Sequence, residues 1–342
     1  MDEQRATSLL LLAEEAEGES RGPNETAWLN RVEGEHEPLL GALSWFLERR
    51  DLEKALRLGA ALYFFWHTRG YVQEGREWYQ KLLTTKGGLA STRAKVLHRA
   101  GMLAFRVGDE AAARTLFEES LAVAREVRDL QQIATTLLGL GRLVALRQGN
   151  HPAGHRLFGE SMKIARELGD KRSEGAAIHC MAALARLEGD EERATSLYME
   201  SLTLRQELGD RQGVAMEQLN LGFMAFHKGD DDSAGRLFAE SLRSSHERGD
   251  KYIMPPNLVG LAGIAMKSGD PARAARLLGS ADACLESAGL VLDPDDALEY
   301  DRIAGAVRDK LGSDAMKVML NEGRAMKIDH AIGYALEAMG KT

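Results

Sequence analysis

Six glycines constrain this sequence most. Gly70, Gly108, Gly149, Gly189, Gly229 and Gly269 stand 38, 41, 40, 40 and 40 residues apart, and four of them precede an Asp. A constant period of this size means a stack of like supersecondary units, each burying its neighbour's apolar face, rather than one globular core. Longer copies accompany the glycines: ESMKIARELGD ending at Asp170 returns as ESLTLRQELGD ending at Asp210 and ESLRSSHERGD ending at Asp250.

Five residues after each turn glycine comes a small residue (Gly75, Ala113, Gly154, Ala194, Ala234, Ala274), and four further on a large one (Tyr79, Phe117, Phe158, Tyr198, Phe238, Leu278). Residues four apart share a helical face, so a neighbouring helix can come close at the first position and be wedged by the second. Four residues before each glycine the chain reads Trp66, Ala104, Ala145, Ala185, Ala225 and Ala265, a further close contact. The unit is therefore a helix A, a glycine turn, and a helix B. Glycine accepts positive φ at a helix end, and the Asp after it caps the next helix. Pro152 and Pro271 fall at the start of helix B, where a missing N–H costs little.

The small residue, the aromatic four later and the Leu221-Gly222 pair seven before its turn glycine resemble the tetratricopeptide repeat (TPR). That family's usual period is about 34, so this array is similar to a longer-helix variant. In the third unit Leu140-Gly141 lies eight residues before Gly149, which implies a bulge late in that helix. A wider resemblance runs along nearly the whole chain. WLNRVEGEHEPLLGALSWFLER from Trp28, ALYFFWHTRGYVQEGREWYQKLL, the ESL…RELGD repeats and the tail segments ARLLGSADACLESAGLVLDPDD and NEGRAMKIDHAIGYALEA resemble the C-terminal sensor region of bacterial STAND-type (NB-ARC/LuxR-like) ATPase transcription regulators. The resemblance implies an adjoining ATPase module. The chain itself holds no phosphate-binding loop: GLAGIAMKSGD has Met266 where the second glycine of such a loop belongs.

A net charge of −8 and the lack of a basic run argue against direct nucleic-acid binding. The apolar run from Leu9 to Ala13 is flanked by Glu14 and Glu15 and is too short for a membrane span, so the expected location is the cytoplasm. Cys180 and Cys284 read as buried thiols. His151 and His155 have the spacing of two helical zinc ligands but no third ligand nearby, and read as exposed helix-start residues, so no metal or cofactor is expected. Asp293 to Asp296 reads as a helix start with its acids at the positive end of the dipole. Ser120, Ser161, Ser201 and Ser241 recur without a partnered histidine and read as packing residues. No catalytic constellation emerges, and the chain is not expected to be an enzyme.

The expected fold is all-α: a right-handed superhelix of about six hairpins of about 40 residues. Helical caps are expected over 1–50 and 291–342, with the array over 51–290. Counted from the turn glycines, the residues lining its concave groove are Phe64, His67, Met102, Phe105, Arg142, Arg186, Phe223, Phe226 and His227. Aromatic rings beside a few cations suit an apolar ligand carrying an acid. The expected role is a sensor module of a signal-transduction transcription regulator, binding a protein, peptide or small effector. The alternative is a standalone scaffold joining two proteins.

Overall fold

The structure, a computed structural model, describes residues 1–19, 22 and 24–337. Three positions in the expected N-terminal cap (20, 21 and 23) and 338–342 of the expected C-terminal one lie outside the described residues. What is described forms α-helices with no strand. Three precede the repeats: α1 (Glu3–Glu19), α2 (Glu25–Gly34) and α3 (His36–Glu48). Six A and B pairs follow: α4 (Leu52–Arg69) and α5 (Val72–Thr84), α6 (Ala90–Arg106) and α7 (Glu110–Glu126), α8 (Leu130–Arg142) and α9 (His151–Leu168), α10 (Lys171–Leu187) and α11 (Glu191–Glu207), α12 (Arg211–Lys228) and α13 (Asp231–Arg248), α14 (Met254–Lys267) and α15 (Pro271–Ala288). The chain ends in α16 (Pro294–Leu311), α17 (Ser313–Arg324) and α18 (Ile328–Glu337).

Two compact units result, one of residues 1–181 with 208–210, the other of 182–207 with 211–342. In the first, α1 packs on α3 and α4, and the A helices α4, α6 and α8 follow one another with α5, α7 and α9 behind them. In the second, α12, α14 and α16 form the corresponding row, while α17 and α18 pack on α15.

The turns have a simple cause. All six repeat glycines adopt positive φ, between 67° and 80°, and so do Gly169, Gly209, Gly249 and Gly289 at the exits of the B helices. The Asp that follows accepts a backbone N–H from the next helix, as with Asp109 and Ala112 N (3.2 Å) or Asp270 and Arg273 N (2.9 Å). Arg50 and Arg128 occupy the same left-handed conformation without being glycine. The extra residue of the third repeat is absorbed by a π-helical turn, Leu143–Arg147, where Gln148 N donates to Leu143 O.

The recurrent aromatics act as spacers. Phe117 is fully buried, and a Cβ on Gly101 of α6 or on Gly139 of α8 would stand 2.7 or 2.6 Å from its Cε1. Phe238 lies in the same way between Gly222 of α12 and Gly260 of α14, at 2.7 and 2.5 Å. The recurrent serines are buried and bonded. Ser120 Oγ donates to Ala94 O (2.8 Å), Ser161 to Ala134 O (2.8 Å) and Ser241 to Ala215 O (2.6 Å), tying each B helix to its own A helix. Three of the hydroxyls also meet a polar side chain on the next A helix, Thr136, Glu217 or Asn257. A buried hydroxyl without such partners would cost about 1–3 kcal/mol.

The C-terminal helices are held by backbone contact. A Cβ on Gly279 of α15 would lie 2.1 Å from Leu320 O of α17, and one on Gly323 of α17 would lie 2.0 Å from Arg276 O.

Three substitutions test these features. Arg128→Gly should raise stability in urea by about 1 kcal/mol, and Gly169→Ala should lower it by about as much, because only glycine takes positive φ without strain. Gly279→Ala should cost about 1–3 kcal/mol, since a carbonyl on a packed helix cannot step aside; hydrogen exchange should show the loss concentrated in α17.

Candidate functional site

The residues three and six before a turn glycine lie on one face of an A helix, and the structure brings those of consecutive A helices together. Phe105, three before Gly108, meets Arg142 of the next A helix, whose guanidinium stands 5.2 Å from the ring centre. Arg186, three before Gly189, meets Phe223, six before Gly229, at 4.7 Å. The same crossing thus places an arginine on a phenylalanine twice, with the partners exchanged. A cation over an aromatic face gains about 0.5–2 kcal/mol.

In the first unit, Phe64 is buried and shares a small pocket with Ala13, Glu17, Trp28 and Leu29, so α1 and α2 cover it. His67 is buried and stacks on Tyr63 (5.7 Å). Met102 is half-buried and Phe105 buried. Arg106 and Arg147 also approach the Phe105 ring, at 5.8 and 4.6 Å, and Arg147 Nη2 donates to Phe105 O at 3.3 Å. Arg142 and Arg147 are half-buried, so one ring carries three guanidinium groups, two of them partly open to solvent. The patch suits a carboxylate joined to an apolar group.

In the second unit the chain itself covers the corresponding face. Phe223 is fully buried edge-to-face against Phe238 (4.9 Å). Phe226 and Ile303 of α16 meet over Gly263, and Lys267 Nζ sits 4.1 Å above the Phe226 ring. Arg186 is buried. Its Nη1 donates to Asn220 Oδ1 and Asp295 Oδ2, both at 3.1 Å, its Nη2 to Glu299 Oε1 at 3.1 Å, and Asp296 Oδ1 lies 3.6 Å away. His227 stands between Glu191 (3.2 Å from Nδ1) and Glu299 (2.9 Å from Nε2). Asp293, the residue before α16, makes no side-chain cap bond and accepts from Tyr252 Oη at 2.5 Å. The Asp293–Asp296 run does begin a helix with Asp295 and Asp296 in its first turn, and those two acids also turn inward onto Arg186.

The electrostatics of this cluster are uneven. Burial opposes the charge on Arg186, and Asp295, Asp296 and Glu299 more than offset it, so its pKa is raised. Burial, with Asp295, Asp293 and Glu299 close by, pushes the Asp296 carboxyl well above the usual carboxylate range against the pull of Arg186. Burial also acts on Glu299, yet the bond to His227 and the charge of Arg186 leave its pKa lowered. Three carboxyl groups approach Arg186, Glu299 also accepts from Arg302 at 3.3 Å, and Asp296 is the one left without a hydrogen bond to Oδ1.

Counting from the glycines named Arg142, Arg186 and His227 and passed over Arg106, Arg147, Asn220 and the acids of α16, which the structure places beside them. The one available signal was the spacing of Asp295, Glu299 and Ile303, which share a helical face. His151 and His155 are half-buried on α9, not exposed. Among the described residues no cluster of His, Cys, Asp and Glu could hold a metal ion, and no helix is long and apolar enough to cross a membrane. Cys180 and Cys284 are free buried thiols, and burial pushes Cys284 up to about 11.

Residues 92–167 match the tetratricopeptide repeat family. No curated protein matches the sequence. Among solved structures the fold is similar to a Rap protein complexed with competence and sporulation factor, at 13% identity over 96% of this chain and 99% of that one, with a TM-score of 0.63. It is also similar to the Rap conjugation gene regulator of plasmid pLS20 in complex with the Phr* peptide (10% identity, 90% and 98%, TM-score 0.53). A third is NprR in complex with its cognate peptide NprX (14% identity, 89% and 91%, TM-score 0.52). At these identities the likeness establishes the fold: an all-α helical repeat array of the tetratricopeptide type.

Because the Asp296 pKa is raised on folding, its contribution is intact below the ordinary carboxylate value and is lost as pH rises through the folded-state pKa. Asp296→Asn should therefore raise Tm by roughly 2–6 °C near pH 7.5 and by almost nothing near pH 4. A Tm difference independent of pH, read by circular dichroism, would contradict this assignment.

Proposed function

We propose that the chain is a peptide- or protein-binding sensor module of a signal-transduction regulator, taking its ligand on the A-helix face. The observation that carries the reading is the Phe105 ring with Arg106, Arg142 and Arg147 around it, two of the three partly solvent-exposed. Such a face holds a ligand by a carboxylate and by an apolar group next to it, as a peptide end or an acidic side chain beside an aliphatic one provides. The Rap and NprR structures that share the fold contain bound factors or peptides, which supports this ligand class.

The sequence resemblance to STAND-type regulators supports the finer part of the reading: an adjoining ATPase module whose packing against the array is biased by ligand. Such bias requires the ligand to bind one arrangement more tightly than the other, and the coupling is reciprocal. A cytoplasmic location agrees with that role.

The reading is tested by screening short peptides for thermal stabilisation of the chain and repeating the positives on Arg142→Ala. Affinity for carboxylate-bearing peptides should fall at least tenfold, about 1.4 kcal/mol. A panel in which no peptide stabilises the protein, or in which stabilisation survives the substitution unchanged, would overturn it.

A further inference from the structure

In the second unit the A-helix face that the proposed function assigns to ligand is filled by the chain's own α16. Nothing in the repeat pattern requires this. An added helix that merely continued the row would touch α14 and α15, as α16 does along its length. Yet its first turn also reaches Arg186 of α10, 109 residues earlier, and crosses Asn220 and His227 of α12 to do so.

The helix meets that face as a ligand would. Asp295, Glu299 and Ile303 stand at i, i+4 and i+8, one stripe of a helix. Asp295 and Glu299 take the two guanidinium nitrogens of Arg186, Glu299 also meets His227, and Ile303 joins Phe226 in the apolar space over Gly263. A helix can dock by such a stripe, its apolar residue laid into a groove and its acids paired with a guanidinium.

The fit is also imperfect in a way that favours release. Asp296 is carried into the buried site with the others, 3.6 Å from an arginine already bonded to Asp295 and Glu299, and its Oδ1 has no hydrogen bond. Buried charge contacts stabilise only where every group is satisfied; apolar residues of the same volume would often hold the helix as well or better. A contact of this kind gives selectivity and reversibility more than strength.

We propose that the first turns of α16 are a tethered, displaceable ligand of the Arg186–His227 face, and that its external ligand is an acidic helical peptide presenting two carboxylates four residues apart followed by an apolar residue. This inference rests on the peptide-binding reading above and adds to it the ligand's charge pattern and an internal competitor. Tethering gives α16 an effective concentration on the order of millimolar. A free peptide is thus held off until it binds better than the strap or the strap loosens.

The probe is a fluorescein-labelled synthetic peptide copying residues 292–306, titrated by anisotropy into the full chain. Asp295→Asn with Glu299→Gln, which removes the two carboxylates bonded to Arg186, should bind it at least tenfold more tightly than the unaltered chain. Adding Arg186→Gln should abolish that gain. In the unaltered chain, excess peptide should accelerate amide hydrogen exchange across 296–311, a readout that depends on no variant folding.

Equal affinity for the unaltered and doubly substituted chains, binding indifferent to Arg186→Gln, or unchanged exchange in α16 would each overturn the proposal. Peptide binding that is lost on Arg142→Ala while surviving Arg186→Gln would leave the ligand site in the first unit standing and remove the strap. No binding by any variant removes the strap as well, and the peptide screen on Arg142→Ala decides separately whether the wider reading stands.

Discussion

The structure depends on how closely two consecutive A helices can approach a single aromatic ring. Phe117 fills the space left by Gly101 and Gly139, and Phe238 the space left by Gly222 and Gly260. Ring and missing side chains fix the distance between hairpins, because packed interiors leave no slack for an added methyl. Once that distance is set, the residues three and six before the turns of neighbouring A helices must meet, and the arginine-on-phenylalanine crossings follow. The serine hydroxyls complete the same joint: Ser120, Ser161 and Ser241 bond to a main-chain carbonyl of their own A helix, and Ser120, Ser201 and Ser241 to a side chain of the helix after it.

Most of this was legible in the sequence because it is local and repeated. Turn glycines, capping aspartates and the small-then-large pairs recur every forty or so residues, and each recurrence tests the others. Even the odd 41-residue spacing pointed to the turn at Leu143–Arg147. Counting from Gly108, Gly189 and Gly229 picks out Phe105, Arg186 and Phe226, which the structure places at contacts between helices. What could not be read was which positions remain open. Phe64 lies beneath α1 and α2, and Arg186 beneath α16, and in both cases the covering helix belongs to the non-repeating ends, where no period guides the reader. The acids from Asp293 to Asp296 show the difficulty best: a helix start and a salt-bridge partner for a residue over a hundred positions away look the same in one dimension.

The two units therefore use one surface differently. In the first, three guanidiniums gather on the Phe105 ring, two of them on half-buried residues. In the second, the equivalent crossing is desolvated and its cation consumed. Charge supplied from within the chain sets how much of the repeat surface is available to anything outside it.

The π-helical turn shows how an array of copies acquires a unique position. Five residues along an ordinary α-helix carry a side chain about 140° away from where it began, so Arg142 and Arg147 would point apart. Closing hydrogen bonds over five residues instead of four brings them back into line, which is why both guanidiniums reach one ring. A single inserted amino acid, which elsewhere would throw the stack out of step, is here confined to one coil of one helix. Arg147 thereby keeps its place two residues before the turn glycine, where Arg106, His227 and Lys267 stand in other repeats, and the count from the turn is the same on both sides of the insertion.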